Sequence, residues 1–150
     1  MSNFIDKLSI RVMEKQDLDS IVNIDTKVLG ETRHEYWLTK IVKQAESRPG
    51  DASLVAEMDG KVVGFILGEV SGWEFKVPNN IGWIDTIGID PDYQNRGIAK
   101  ELANLCVLNL KKYGVDTIYT LVNWNDWDLL QFFHAMGFSR GDMINLVLRV

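Results

Sequence analysis

Apolar residues recur along this chain in two rhythms, one of period two and one close to 3.6. Residues 8–13 read as a first strand. Gln16-Asp17 then opens a segment in which Leu18, Ile21, Ile24 and Val28 share one helical face, and Gly30 closes it. A second helix is predicted from about residue 34 to 46, with Trp37, Ile41 and Ala45 four apart, and Arg48-Pro49-Gly50-Asp51 breaks it. Residues 53–58 and 61–70 flank Asp59-Gly60, a dipeptide suited to the positive backbone angles of a two-residue hairpin turn. A loop over 71–80 carries Trp73 and Phe75. Beyond it the pattern predicts a strand over 81–89, a helix over 98–113 capped by Gly114, and a strand over 116–123. A short helix over 126–136 ending at Gly137 and a last strand over 143–150 complete the series. That order predicts an α/β (α+β) fold: one domain over residues 1–150, with a mixed, mostly antiparallel central sheet of about six to seven strands and about four helices packed on it.

Length and composition narrow the function classes. A chain of 150 residues suits one domain with its own core. The single cysteine, Cys106, stands amid Leu102, Leu105, Val107 and Leu108, which predicts a buried thiol and a reducing, cytoplasmic setting. Sixteen basic against twenty-one acidic side chains give a net charge of -5, so a nucleic-acid partner is not expected. An apolar fraction of 46% and a charged fraction of 25% exclude a disordered chain. The opening Met1-Ser2-Asn3-Phe4-Ile5-Asp6-Lys7 lacks the basic-then-apolar pattern of a leader, and no uncharged apolar run of about 18 residues occurs, so membrane insertion is not expected. His34 and His134 stand apart, which predicts no metal site. No serine or cysteine has an evident histidine partner, so a covalent acyl-enzyme is not expected.

The segment richest in chemistry is Gln94-Asn95-Arg96-Gly97-Ile98-Ala99, between a predicted strand and a predicted helix. Such a junction leaves backbone N–H groups without partners at the helix start, where an anion can bind. Gly97 permits close approach, Ala99 is small, and Arg96 and Lys100 add local positive charge. The dinucleotide fingerprint and the nucleoside triphosphate loop are both absent, so NAD and ATP are not expected ligands.

The run Ile87-Gly88-Ile89-Asp90-Pro91-Asp92-Tyr93-Gln94-Asn95-Arg96-Gly97-Ile98-Ala99 resembles the acyl-CoA-binding motif of the GNAT N-acetyltransferase superfamily, whose core is Gln/Arg-x-x-Gly-x-Gly/Ala after a strand. The stretch from Leu129 to Phe138 looks like the family's second motif, which closes on Gly-Phe. The resemblance implies an N-acetyltransferase moving an acetyl group from acetyl-CoA to a primary amine by direct attack. The acceptor would be a peptide N-terminus, a lysine or another amine-bearing small molecule or protein. It also implies that Gln94 to Lys100 hold the CoA pyrophosphate, chiefly through backbone amides from Asn95 to Ala99. The main chain of Ile87, Gly88 and Ile89 would meet the pantetheine arm between the fourth and fifth strands, with Ile87 N–H a donor to the thioester oxygen.

Two positions depart from that pattern. Phe133 stands where a tyrosine usually protonates the departing thiol, and a phenyl ring has no proton to give. The usual asparagine near pantetheine aligns with Asp126, with Asn125 one place earlier. Catalysis by positioning remains open, because a thiol of pKa about 8.5 leaves readily. A second reading is a catalytically idle domain that binds CoA or acetyl-CoA as a sensor or interaction module. A homodimer is an assembly that such folds form, though no segment marks the interface.

For a base, simple alternation puts Trp83, Asp85, Ile87 and Ile89 on one face, making Asp85 the best-placed carboxylate to bind the substrate ammonium or relay its proton. Asn123 on the fifth strand is placed to orient substrate. The resemblance walls the acceptor side with residues 29–37 and 71–80, where Glu31, Arg33, Tyr36, Trp73 and Phe75 are candidate lining. At pH 7 an α-amine is roughly 14% neutral and a lysine amine roughly 0.04%, so without a strong base an α-amine is the easier nucleophile.

Overall fold

Asp59 and Gly60 adopt φ of 51° and 78°, the paired positive values of a tight hairpin turn. They join strands β2 (Leu54–Met58) and β3 (Lys61–Val70) in antiparallel register. The computed structural model describes residues 7–45, 50–70 and 80–150, so Trp73 and Phe75 lie outside the described residues. Strand β1 (Leu8–Val12) pairs antiparallel with β2, and β4 (Ile81–Ile89) pairs antiparallel with β3. Strand β5 (Thr117–Thr120) runs parallel to β4, giving the sheet order β1-β2-β3-β4-β5. The chain divides into two units, Met1–Thr120 and Leu121–Val150.

Each face of the sheet is covered for a legible reason. Helices α1 (Leu18–Leu29) and α2 (His34–Ala45) bury their apolar stripes, through Ile21, Ile24, Trp37 and Ile41, against Val55, Phe65 and Leu67. Trp37 meets Phe65 edge to face, with centroids 5.2 Å apart. Gly30 ends α1 in the left-handed region, φ 84°. The long helix α3 (Ile98–Lys112) packs on the sheet where Gly64, Gly68 and Gly82 present no side chains. A Cβ on Gly64 would lie 3.3 Å from Ile98 and from Leu102, and one on Gly82 would lie 3.3 Å from Leu110.

Gly68 is the tightest of these contacts against fixed atoms. A methyl there would stand 2.7 Å from Cys106 Sγ and 2.9 Å from the Ala52 carbonyl oxygen. Gly68→Ala is therefore expected to destabilise the fold by about 1–3 kcal/mol, read as a lower urea midpoint at unchanged slope. Cys106 is fully buried, as its neighbours predicted, and burial pushes its thiol up to about 12.

The second unit holds α4 (Trp127–Ala135), whose N-cap Asp126 accepts a hydrogen bond from Leu129 N at 3.2 Å. Two predicted strands are revised. The fifth ends at Thr120 rather than 123, because its parallel partner β4 is interrupted just beyond Ile84, which pairs with Thr120. Residues 143–150 form no strand, so five strands are described instead of six to seven. No helix among the described residues is long and apolar enough to cross a membrane.

Candidate functional site

β4 carries an extra residue at its middle. Leu67 pairs with Thr86 and the next residue, Gly68, pairs with Ile84, leaving Asp85 without a partner in β3. Such a bulge shifts the side-chain alternation by one. Glu69, Trp83, Leu67, Thr86 and Gly88 therefore share the α1/α2 face, and Ile66, Ile84, Ile87 and Ile89 share the α3 face. The expectation that Trp83, Asp85, Ile87 and Ile89 line one face is corrected: an unbroken strand was assumed, and the bulge separates the two isoleucines from Trp83 and Asp85.

The bulge also opens an edge. From Thr86 onward β4 is paired with β3 but has no strand neighbour on its other side among the described residues. Asp90 N donates to Val63 O at 2.8 Å, so by alternation the main-chain groups of Ile87 and Ile89 point away from β3. The Ile89 carbonyl accepts from Gln94 Nε2 at 3.2 Å, which leaves Ile89 N–H and both polar groups of Ile87 facing that open side.

The turn after β4 is built for approach to the helix start. A single-turn 3₁₀ helix, Pro91–Tyr93, leads into Asn95 at φ 62° and Gly97 at φ 87°, both left-handed. Gly97 is the N-cap of α3, and no side chain caps the helix. Glu101 N bonds Gly97 O at 3.1 Å, so the preceding amides of Ile98, Ala99 and Lys100 have no acceptor within the helix. Arg96 also takes part in the turn itself. Its guanidinium donates to Asp92 O at 3.2 Å and lies 5.5 Å from the Tyr93 ring centre, bracing the turn.

Asp90 anchors this turn from below. Its side chain is 1% exposed, accepts from Asp92 N at 3.0 Å, and pairs with Lys27 of α1 at 3.0 Å and with Lys61 at 3.8 Å. Burial pushes its carboxyl up, but these partners outweigh it and hold the carboxyl below the ordinary 3.8. A depressed carboxyl contributes stability above its unfolded pKa and loses it as pH falls through the folded value. Asp90→Asn is thus expected to be less stable than the parent at neutral pH, with the gap closing below about pH 3.8, as chemical unfolding across pH would show.

On the α1/α2 face, Asp85 meets the Lys40 ammonium in a close ion pair, and Lys40 Nζ lies 5.2 Å from the Tyr36 ring centre. Burial works against the Lys40 charge, yet the bond to Asp85 outweighs it and raises the ammonium above its ordinary value. Around this pair lies a cavity of about 480 Å³ lined by Tyr36, Thr39, Lys40, Lys43, Glu69 and Asp85 with Leu67 and Gly68. A smaller cavity of about 200 Å³ is walled by Ile24, Val28, Leu29 and Phe65 and reaches Thr86, Ile87 and Gly88. Its polar corner is Asp25 with Arg33, bonded through two guanidinium nitrogens at 2.9 and 3.0 Å, and Arg33 stacks 4.3 Å from the Tyr36 ring centre. Burial raises the Asp25 carboxyl and Arg33 more than reverses it, leaving it below the ordinary value.

The structure thus brings Tyr36, Asp85 and, through Asp25, Arg33 to cavity walls. Glu31 is exposed in the short α1–α2 connection and lines neither cavity. Trp83 stacks on Tyr119, 5.2 Å between ring centres. In the second unit Asn123 and Asn125 are exposed, and Phe133 is buried between Phe132 and Phe138 at 5.2 and 5.0 Å. Sequence reasoning missed Lys40, Glu69, Asp25 and Asp90. Among the described residues no group of three or more His, Cys, Asp or Glu is placed to hold a metal ion.

Comparison with known proteins places these features in a family. Residues 18–138 match the Acetyltransferase (GNAT) family. The chain is 27% identical over 153 residues to an uncharacterized N-acetyltransferase of Methanocaldococcus jannaschii, covering 99% of this chain and 68% of that protein. It is 26% identical over 137 residues to an N-alpha-acetyltransferase of Sulfurisphaera tokodaii, covering 87% of this chain and 79% of that one. The fold is shared with the aminoglycoside N-acetyltransferase AAC(6')-Iy solved with CoA, at TM-score 0.78 and 16% identity over 95% of this chain and 94% of that chain. With more than three quarters of its length inside the family's pattern, the chain belongs to the GNAT acetyltransferase family and is an acetyl-CoA-dependent N-acetyltransferase.

Proposed function

We propose that this enzyme acetylates the α-amine of a peptide N-terminus, and that the amine attacks the acetyl group directly. Acetyl-CoA supplies the thioester; this chain's residues hold and orient both reactants. The amides of Ile98, Ala99 and Lys100, uncapped by any side chain and approached over Gly97, fit a diphosphate. The outward main-chain groups of Ile87 and Ile89 fit the amide-bearing arm as an added strand. In that pose Ile87 N–H is a donor to the thioester carbonyl, and a thiol of pKa about 8.5 departs as thiolate.

The observation that carries the choice of acceptor is the Lys40–Asp85 ion pair. A carboxylate already neutralised by an ammonium is a poor base, though it still attracts an incoming ammonium. Asp25, the other carboxylate at a cavity wall close to Ile87, is held below its ordinary value by Arg33. An amine that sheds its own proton near neutral pH suits such a site, and α-amines do so several hundredfold more readily than lysines. The charge of the larger cavity argues the same way. Asp85 and Glu69 are matched by Lys40 and Lys43, so its net charge is zero and a polycationic amine gains little there. Val28 and Leu29, about half exposed at the smaller cavity, suit the first side chain of a peptide. The similarity to an N-alpha-acetyltransferase is in keeping with this reading. The same reading places the enzyme in the cytoplasm, where a reduced, buried Cys106 is at home.

The test compares peptides with a free α-amine against the same peptides blocked at the α-amine and carrying a free lysine, following amine-dependent CoA release. A preference of at least about 100-fold for the free α-amine is expected from the difference in neutral fraction. Equal or faster turnover on the blocked peptides would overturn the proposal.

A further inference from the structure

Which amides of β4 face its open side is decided at one point in the sheet. Asp116 N donates to Asn80 O at 3.0 Å, so by alternation Gly82 and Ile84 turn their main-chain groups toward β5. An unbroken strand would next turn Thr86 and Gly88 that way. The unmatched residue at Asp85 shifts the alternation, and Ile87 and Ile89 take those places instead. The Ile87 N–H therefore reaches the open side only while the extra residue stays between Ile84 and Thr86.

The Gly68–Ile84 pair borders that point, and a side-chain hydroxyl holds each of its outer ends. Gly68 is buried two residues beyond the last β2–β3 pair, Leu54 with Ile66, so β2 supplies it no strand partner. Ser53, fully buried just before β2, fills the gap. Its Oγ accepts from Gly68 N at 3.1 Å and donates to Gly68 O at 3.3 Å, so one hydroxyl serves both main-chain groups. Ser53 is itself fixed, because its carbonyl accepts from Met13 N at 3.0 Å. On the far side Thr120, the last residue of β5, donates its hydroxyl to Ile84 O at 2.9 Å.

We propose that Ser53 and Thr120 are positioning residues for acetyl transfer, their hydroxyls pinning the bulge at Asp85 and thereby presenting Ile87 N–H to the thioester. Removal of Ser53 Oγ strips two buried main-chain groups of Gly68 of their partners, and β3 must shift to find others. A shift of β3 against β4 moves the extra residue, and with it the amide that faces the donor. The role rests on the placement of the donor along β4 proposed above and is independent of the choice of acceptor.

The test combines steady-state kinetics with amide chemical shifts of the free protein. Thr120→Val keeps the side chain's shape without its hydroxyl and is expected to lower kcat about 10-fold, the scale of one hydrogen bond. Ser53→Ala is expected to lower kcat about 100-fold, the scale of a misplaced reacting group. In both, the KM for acetyl-CoA should stay within about threefold of the parent, because the turn at residues 95–100 that fits the diphosphate is untouched. The amides of residues 84–87 should move while those of 95–100 stay, and Thr120→Ser, which keeps the hydroxyl, should restore kcat. Thr120→Val, at a half-buried position, carries the test if Ser53→Ala does not fold. Unmoved amides at 84–87 would overturn this role alone. Amides that move there with kcat unchanged would overturn both this role and the placement of the donor on β4. A fall in kcat that Thr120→Ser fails to restore would also overturn the proposal.

Discussion

Gly97→Val is expected to raise the KM for acetyl-CoA by at least about 100-fold and to change kcat far less. Gly97 holds φ 87°, where a β-branched residue is strained, and it is the residue that turns the chain into α3. Valine relieves the strain by moving the turn, which rotates the amides of Ile98 and Ala99 away from their common focus and puts a branched side chain in front of them. A loss of about 100-fold corresponds to about 2.7 kcal/mol, the scale of one or two charge-assisted hydrogen bonds. Gly97 is exposed and packs no core, so the melting temperature should move little. Gly97→Ala, with a smaller side chain, should fall between the two. Steady-state kinetics with acetyl-CoA varied at saturating amine separates the terms, and an unchanged KM would show that the turn plays no part in holding the donor.

Asp85→Asn is expected to lower kcat/KM for the amine by about 100-fold while leaving the KM for acetyl-CoA near that of the parent. Asp85 stands at the bulge, on the face of β4 turned toward α2. Asparagine keeps its shape but removes the charge that draws in an ammonium, and it leaves Lys40 as an unpaired positive charge facing the incoming cation, a cost of about 1.5–3 kcal/mol for a charged hydrogen bond lost. Lys40→Met should be the milder change, because the carboxylate remains. The two variants should also differ in pH dependence: the Lys40→Met rate should still rise with pH as the amine loses its proton, and Asp85→Asn should be slow throughout. If Asp85→Asn turns over normally at every pH, neither ammonium binding nor proton relay can be assigned to that residue.

The periodic elements were legible because their causes are local. Asp59-Gly60, the Leu18-Ile21-Ile24 stripe and the all-round apolar helix from Ile98 each carry enough information in a short stretch to set their own structure. The turn between β4 and α3 was legible for the same reason, since Gly97 and the uncapped helix start that follows it are neighbours in the sequence. The bulge was not legible. Nothing in the run Trp83-Ile84-Asp85-Thr86-Ile87 distinguishes it from a regular strand, because the extra residue exists only relative to β3, and one unmatched position reversed the assignment of every later side chain. Asp25–Arg33 and Asp85–Lys40 were hidden by sequence separation of 8 and 45 residues, although Arg33 and Asp85 were each singled out alone. Asp90 lay inside the recognised motif as part of an Asp-Pro turn, and its burial between Lys27 and Lys61 depends on two other elements meeting it. Residues 143–150 alternate as a strand does and yet form none, because alternation is a property of the segment while a strand needs a bonded neighbour.

The most direct measurement is a map of amide chemical shifts of the isotopically labelled protein as acetyl-CoA is titrated in. The largest changes are predicted at residues 86–89, where β4 has an open edge, and at 95–100, where the turn enters α3. Saturation with no change in those two segments, or with changes confined to other parts of the sheet, would contradict the placement of the donor on which every assigned role depends.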